Sequence, residues 1–418
     1  AAIEHFTILL KQNPTHLTAR WLLNIASMTL GQYPDGVPVE FRIDPDYFKS
    51  DTGFPSFPNI ASDKLLNTVT LAGGSIVDDF DDDGDMDVMT SSWAHGDQLN
   101  FFRNVDGQFT NDTVNSNLTG LFGGLNLIQA DYDNDGDLDV LVLRGAWLGD
   151  RGRIPNSLLQ NDGTGHFRDV TLTCGLGTAS FPTQTAVWSD IDNDGDLDLY
   201  LGNEDVPCQL FQNSGLGTFT DIAHTAQVEN RRLTKGVACG DFNDDGFPDI
   251  YVSNHGSENR LYKNNQDGTF TDVATELRVT RPETSFPVWF WDYNQDGILD
   301  IFAASCGYDM NQIAGPYFGV PSTGEPDCLY EGDGRGGFQE VALQRNLSKI
   351  SFTMGANFGD LDNDGYPDFY LGTGFPAYEA LMPNVMFWNR RGTKFADVTT
   401  DGGFGHLQKG HGISFADI

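Results

Sequence analysis

Six copies of one nonapeptide, D-x-[DN]-x-D-G-x-x-D, begin at Asp79, Asp131, Asp190, Asp241, Asp292 and Asp360, 51 to 68 residues apart in a chain of 418. A repeat of that length is one supersecondary unit, and it can bury its apolar faces only against neighbouring copies. The flanks repeat in the same register. A short strand rich in small residues precedes each loop (236–239, 355–358), and a β-branched or aromatic strand follows it (139–143, 198–201, 249–252). Next comes a Leu-aromatic strand ending in Asn (210–213, 261–264), then a Gly-rich turn and a last strand (219–222, 270–273). Four strands per unit describe a propeller blade, whereas solenoid repeats are usually shorter, about 20–45 residues.

The expected fold class is therefore mainly β: a seven-bladed β-propeller, six blades complete and the seventh truncated, preceded by a short α-helical hairpin. The seventh register rests on 415–418, which repeats 358–361. Residues 57–61 match a blade's last strand and are expected to complete the final blade. Its remaining strands would follow Ile418, so the sequence reads as part of a longer protein. The expected division is a hairpin over 1–34, a linker over 35–52 and the propeller over 53–418. In the hairpin, Ile3, Phe6, Leu9 and Leu10 share one helical face. Leu17, Trp21, Leu22, Ile25 and Met28 share the other, with Pro14 between the helices. Residues 19–26 resemble a tetratricopeptide helix.

The nonapeptide has the chemistry of a calcium loop. Calcium takes six to eight oxygens, mostly carboxylate and carbonyl. Position 1 offers Asp79, Asp131, Asp190, Asp241, Asp292 and Asp360. Position 3 offers Asp81, Asp133, Asp192, Asn243, Asn294 and Asp362, and position 5 offers Asp83, Asp135, Asp194, Asp245, Asp296 and Asp364. Position 7 would give a backbone carbonyl, from Asp85, Asp137, Asp196, Phe247, Ile298 and Tyr366. Position 9 closes the set with Asp87, Asp139, Asp198, Asp249, Asp300 and Asp368. Glycine at position 6 permits the sharp turn. The Glu that an EF-hand needs at position 12 is absent, so the loop is of the EF-like type without its helices. Simple Asp-Gly turns would not explain so many acids per loop. About six Ca²⁺ sites are expected.

This places much of the acidity. Asp and Glu number 60 against 24 Lys and Arg, for a net charge of −36. Such a surface repels phosphate and excludes a nucleic-acid partner. Disorder is the usual reading of such acidity, but 39% hydrophobic residues and 30 Phe supply a large core. No apolar run reaches the 18 residues of a membrane span.

The blade pattern resembles FG-GAP/VCBS repeats, the calcium-loop propellers of integrin α heads and many bacterial extracellular proteins. More narrowly, Ala72-Gly-Gly-Ser-Ile-Val-Asp-Asp79, Leu143-Arg-Gly-Ala-Trp147, Met354-Gly-Ala-Asn-Phe-Gly-Asp360 and Gly405-His-Leu-Gln-Lys-Gly-His411 resemble the cartilage-acidic-protein group, whose members carry ASPIC/UnbV-type C-terminal domains. The resemblance implies an exported calcium-binding propeller.

Function is expected on the face opposite the calcium loops, where the connections vary most. Trp93, His95, Arg144, Trp147, Arg151, Arg153, His255, Tyr308, Tyr317, Phe375 and Tyr378 are its candidate ligand residues. A Cys306–Cys328 disulfide is expected to staple the long insertion of the fifth unit. His406 and His411 read as structural, and Trp289 and Trp291 as packing between blades. No catalytic residue is assigned, since no nucleophile, phosphate-loop or zinc-protease motif occurs. The expected protein is an extracytoplasmic calcium-stabilised module (extracellular, cell-surface or periplasmic) that binds a protein or glycan partner or self-assembles. The alternative is a polysaccharide lyase or hydrolase with its site on the variable face.

Overall fold

Each nonapeptide joins the first two strands of a four-stranded antiparallel sheet whose strands are hydrogen-bonded in chain order. The computed structural model describes residues 1–307 and 309–417, with the side chain of Thr178 left aside. Six such sheets follow one another: blade 1 (75–111), blade 2 (126–169), blade 3 (183–221), blade 4 (234–272), blade 5 (285–340) and blade 6 (353–397). Their first strands surround an axial cavity of about 370 Å³. In blades 2 to 5 the second strands, such as Asp139–Leu143 and Asp198–Asn203, are buried at every residue. Both of their faces meet a neighbouring sheet, so the sequence shows a nearly unbroken apolar run. The core lies in the seams between blades. Trp289 and Trp291 of blade 5 pack on Phe369, Phe387 and Phe395 of blade 6.

The Asn that ends the third strand closes several seams. Asn213 Nδ2 donates to the Leu197 carbonyl of its own loop (3.2 Å) and to the Tyr132 carbonyl of the preceding blade's loop (2.8 Å). Asn161, Asn264 and Asn389 each bridge two loops in the same way. Blade 5 has Gly332 here, where a Cβ would lie 2.6 Å from the Leu299 carbonyl.

The blade count differs from expectation. Among the described residues six blades are formed, not seven. Residues 410–417 lie between blades 1 and 6, where Ser414 Oγ donates to the Ser75 carbonyl (3.0 Å) and Asn357 Nδ2 to the Ile413 carbonyl (3.1 Å). A sheet needs a second strand, and this segment has only one strand's length; Ile418 lies outside the described residues. Residues 57–61 form no strand either. Phe57 instead packs on Phe404, and its N–H donates to the Gly402 carbonyl (2.9 Å).

The expected disulfide is also absent, and all five cysteines are free. Cys328 pairs with Ala303 inside the sheet and packs in the seam between blades 4 and 5, whereas Cys306 packs in a different apolar cluster beneath the N-terminal helices. The insertion is held by burial instead. Its helix Met310–Tyr317 lies against the second helix of the hairpin, Leu17–Thr29, which follows the first, Ala2–Gln12. Trp21 and Ile25 are buried with Met310 and Ile313, and Trp21 Nε1 donates to the Leu381 carbonyl (2.7 Å). Residues 35–52 pack too: Asn24 bonds the Phe41 carbonyl and the Ile43 N–H, and Ile43 is fully buried.

Asn213→Ala should lower unfolding free energy by about 1–3 kcal/mol, because it leaves two carbonyls without their buried donor. Urea denaturation measures this, and an unchanged midpoint would refute the seam role.

Candidate metal centres and the opposite face

The six loops share one backbone conformation. Position 4 is left-handed in every copy (φ +55° to +59° at Asp82, Asn134, Asn193, Asp244, Gln295 and Asn363). Position 6 is glycine at φ +81° to +97°. At Gly136 and Gly195 a Cβ would meet nothing within 4 Å, so glycine is required there by its dihedral, not by crowding. The turn is held by the position 1 carboxylate. Asp131 accepts the Asp135 and Gly136 N–H groups (3.1 and 3.0 Å), and Asp190, Asp241, Asp292 and Asp360 bond the equivalent pairs.

Position 9 ties the loop to the sheet. Asp198 accepts from Asn213 N (2.8 Å) and Ile191 N (3.2 Å), and Asp87, Asp139, Asp249 and Asp368 repeat the pattern. Burial pushes these carboxyls well above the usual range, to about 6 for Asp87, about 8 for Asp139 and about 7 for Asp198, Asp249, Asp300 and Asp368. Their backbone donors oppose the rise.

Position 3 supplies the test of whether a cation fits. The Oδ1 atoms of Asp81, Asp133 and Asp192 are buried and accept no hydrogen bond. Buried carboxylate oxygens without a donor are the acceptors that a hard cation would satisfy. Three-carboxylate clusters with ligand atoms within 4.8 Å of one another occur at Asp79, Asp81 and Asp83; at Asp131, Asp133 and Asp139; at Asp190, Asp192 and Asp194; and at Asp360, Asp362 and Asp368. Loops four and five have Asn243 and Asn294 in place of one carboxylate. Position 7 side chains turn elsewhere: Asp85 accepts from Asp106 N (2.6 Å) and Asp196 from Asn134 of blade 2 (2.9 Å).

The loops differ in what faces position 3. Gln160 and Gln212 donate a neutral amide to Asp133 and Asp192 (2.6 and 2.7 Å). In blade 1 the same strand position is Arg103, which ion-pairs Asp81 and also holds Asp112.

On the opposite face the candidate residues divide. His95, Arg151, Arg153 and Tyr378 are exposed. Arg144 is buried, its guanidinium spent on the Phe122 and Pro155 carbonyls and Ser157 Oγ. His255 is buried with Nε2 3.1 Å from the Cys306 carbonyl oxygen, and burial pushes its pKa down to about 4. Tyr317 packs against Trp21 and Phe48 under the helical hairpin, which removes it from the ligand face. Phe375 is half-buried against Trp147, and Tyr308 lies outside the described residues. Trp93 is half-buried, its indole N–H donating to the Ala146 carbonyl (3.0 Å).

Trp147 is central. Its φ is +67°, unusual for a bulky residue, and its N–H is held by Glu204 Oε2 (2.7 Å). Lys235 Nζ lies 3.5 Å from the ring centroid and ion-pairs Glu204. Burial lowers the Lys235 pKa and Glu204 opposes the fall. Lys235 escaped the sequence reading, although it is the one Lys or Arg on the six first strands. A β-bulge places it: the register shifts between Thr234 and Gly236, which re-aims the residue between them.

The FG-GAP-like repeat model matches residues 79–142, 146–201, 190–252 and 241–303. Cartilage acidic protein 1 from Mus musculus is 28% identical over 296 residues, 67% of this chain and 44% of that protein. The Homo sapiens protein is 27% identical over 296 residues, 67% of this chain and 43% of its own length. The chain thus spans less than half the length of these relatives. Among solved structures, an Agrocybe aegerita lectin specific for non-reducing terminal N-acetylglucosamine aligns with TM-score 0.45 at 16% identity, covering 78% of this chain and 79% of the lectin. The V. cholerae biofilm matrix protein Bap1 aligns at 0.38 and 15%, covering 69% of this chain and 41% of that one. With repeat matches across more than half of its residues, this chain belongs to the FG-GAP-like repeat family.

Proposed function

We propose that this protein is a calcium-stabilised propeller acting outside the cytoplasm, which binds a protein partner through the face opposite its loops. The observation that carries the calcium part is the set of orphaned position 3 oxygens at Asp81, Asp133 and Asp192. Asp or Asn at positions 1, 3, 5 and 9 and the position 7 carbonyl would hold the ion in each loop. When bound, calcium neutralises carboxylates that otherwise repel one another. Millimolar calcium, available outside the cytoplasm, suits such open loops. Among the described residues no helix is long and apolar enough to cross a membrane. Binding is supported by the segregation of the faces: the loops stiffen one rim while exposed His95, Arg151, Arg153 and Tyr378 decorate the other. The polysaccharide-enzyme alternative draws no support, because Arg144, Lys235 and His255 are buried and engaged.

Chelation should lower the melting temperature sharply. Each occupied site contributes about 2.7 kcal/mol at a hundredfold excess of ion over its Kd. Scanning calorimetry with and without EDTA measures this, and an unchanged melting temperature would sink the calcium reading. Arg103→Gln should tighten calcium binding at loop 1 by about three- to tenfold, since it replaces a cation with the neutral donor of blades 2 and 3. Calorimetric titration that resolves no tighter site would count against the role given to Arg103. Charge reversal at Arg151 and Arg153 should weaken capture of a native partner without altering melting; undiminished capture would move the interface elsewhere.

A further inference from the structure

A cavity of about 510 Å³ opens on the variable face, lined by Trp93, Leu125, Trp147, Met354, Tyr378 and His411 among others. His411 and Met354 also line the axial cavity beneath, so these two residues border both. The mouth is built by a repeated device. In blades 3 to 6 the first strand breaks register near its start; the bulged residues Gln184, Lys235 and Met354 line the axial cavity, and in blade 5 the bulge takes in Phe286 and Pro287. Phe286 stacks on Trp147, Lys235 lies on the ring of Trp147, and Met354 reaches the cavity wall.

Three observations select an occupant. First, His411 is only 8% exposed, and while the Gly73 backbone faces one edge of its ring, no partner among the described residues meets the other. Burial and the charge of Lys235 push its pKa down to about 4, against the Gly73 backbone, so at neutral pH the ring is uncharged and keeps an acceptor nitrogen for a guest. The indole N–H of Trp147 is also buried and unpartnered. Second, apart from Lys409, whose ammonium donates to the Pro376 and Ala377 carbonyls, the lining is otherwise mostly apolar and aromatic, with too few polar groups for the several hydroxyls of a sugar ring. Third, a cationic guest is disfavoured, because Lys235 already lies on Trp147 and Lys409 Nζ lies 5.9 Å from the Tyr378 centroid.

We infer that this cavity receives the neutral aromatic side chain of a tyrosine or tryptophan carried by a protein partner, the ring lying among Trp93, Trp147 and Tyr378 and its polar edge meeting His411. The rim favours a protein over a free small molecule. Tyr378 is 95% exposed and Leu71 52%, an apolar border that a single ring would leave in water and a polypeptide would cover. This deepens the protein-binding reading above and rests on it.

The test uses the calcium-supplemented chain and calorimetric titration with N-acetyltyrosinamide, N-acetyltryptophanamide, N-acetylglucosamine and a pentapeptide with one tyrosine between alanines. Saturable binding of the aromatic amides is expected, with Kd of about 1 mM or tighter, and tighter still for the pentapeptide. Tyr378→Ala and His411→Phe should each weaken binding about tenfold. Tyr378 is so exposed that its removal should leave melting unchanged, which keeps the test valid if His411→Phe fails to fold. No saturable aromatic binding, or undiminished affinity in Tyr378→Ala, would overturn the inference. Equal affinity for the amide and the pentapeptide would overturn the assignment to a protein side chain, and tighter binding of N-acetylglucosamine at this site would overturn the ligand class. A flat titration alongside an EDTA-sensitive melting temperature and a capture that needs Arg151 and Arg153 would sink this pocket alone.

Discussion

A buried aspartate at the end of each loop is the constraint on which the molecule depends. Asp198 shows the logic. Its two oxygens accept backbone N–H groups from its own loop and from the third strand of its own blade, whose terminal Asn213 then reaches back to the preceding blade. Loop, sheet and seam are thereby one hydrogen-bonded unit, repeated around the ring. Burial raises the cost of ionising that carboxyl, and three more acidic or amide side chains crowd beside it. The fold is therefore built around charge that favours a cation.

This arrangement separates the two faces. The nine-residue loops are nearly invariant in dihedral angle, so their face has little freedom to diversify. The opposite rim carries connections of unequal length and chemistry. Around blades 5 and 6, that rim is covered by the helical hairpin, through Trp21 against Leu381 and Arg20 over Phe318 at 3.8 Å. What remains open lies beside blades 1 and 2 and the 375–379 connection, and the cavity with Trp93, Trp147 and Tyr378 sits there. The helices thus limit how much of the rim a partner can reach.

The blades and loops were legible because local sequence determines them: a left-handed position 4, a glycine at position 6 and a carboxylate at position 9 are conditions on single residues. The third-strand Asn was visible as a pattern, but its bridging role was not, because its acceptor lies 81 residues away at Asn213 and Tyr132. The Cys306–Cys328 pairing failed for the same reason. Proximity in sequence suggested a staple, yet the two side chains enter different cores. Exposure was misjudged at Arg144 and His255, since a polar residue on a variable loop can be spent on backbone carbonyls, and only the fold shows which are. His411 is buried as a structural histidine would be, but it also borders the cavity on the variable face, which its sequence spacing does not show.

The six loops are not equivalent, and their differences follow from one neighbouring position. The residue before the third-strand Asn faces position 3 of its own loop. In blades 2 and 3 it is Gln, which donates to the carboxylate and leaves its charge for a metal. In blade 1 it is Arg103, a built-in cation that already compensates Asp81. In blade 5, where Gly332 replaces that Asn, it is Glu331, engaged by Arg345 and Tyr293, beside a loop that has Asn294 in place of the position 3 aspartate. In blade 4 it is Lys263, beside a loop with Asn243 at position 3. Affinity for a hard cation follows ligand charge, so loops two and three should fill before loops one, four and five. Blades 2 and 3 are adjacent and carry Trp147 and the Glu204 that holds it. The part of the ring with the donor set best suited to a cation therefore lies beneath the most elaborately built part of the opposite face.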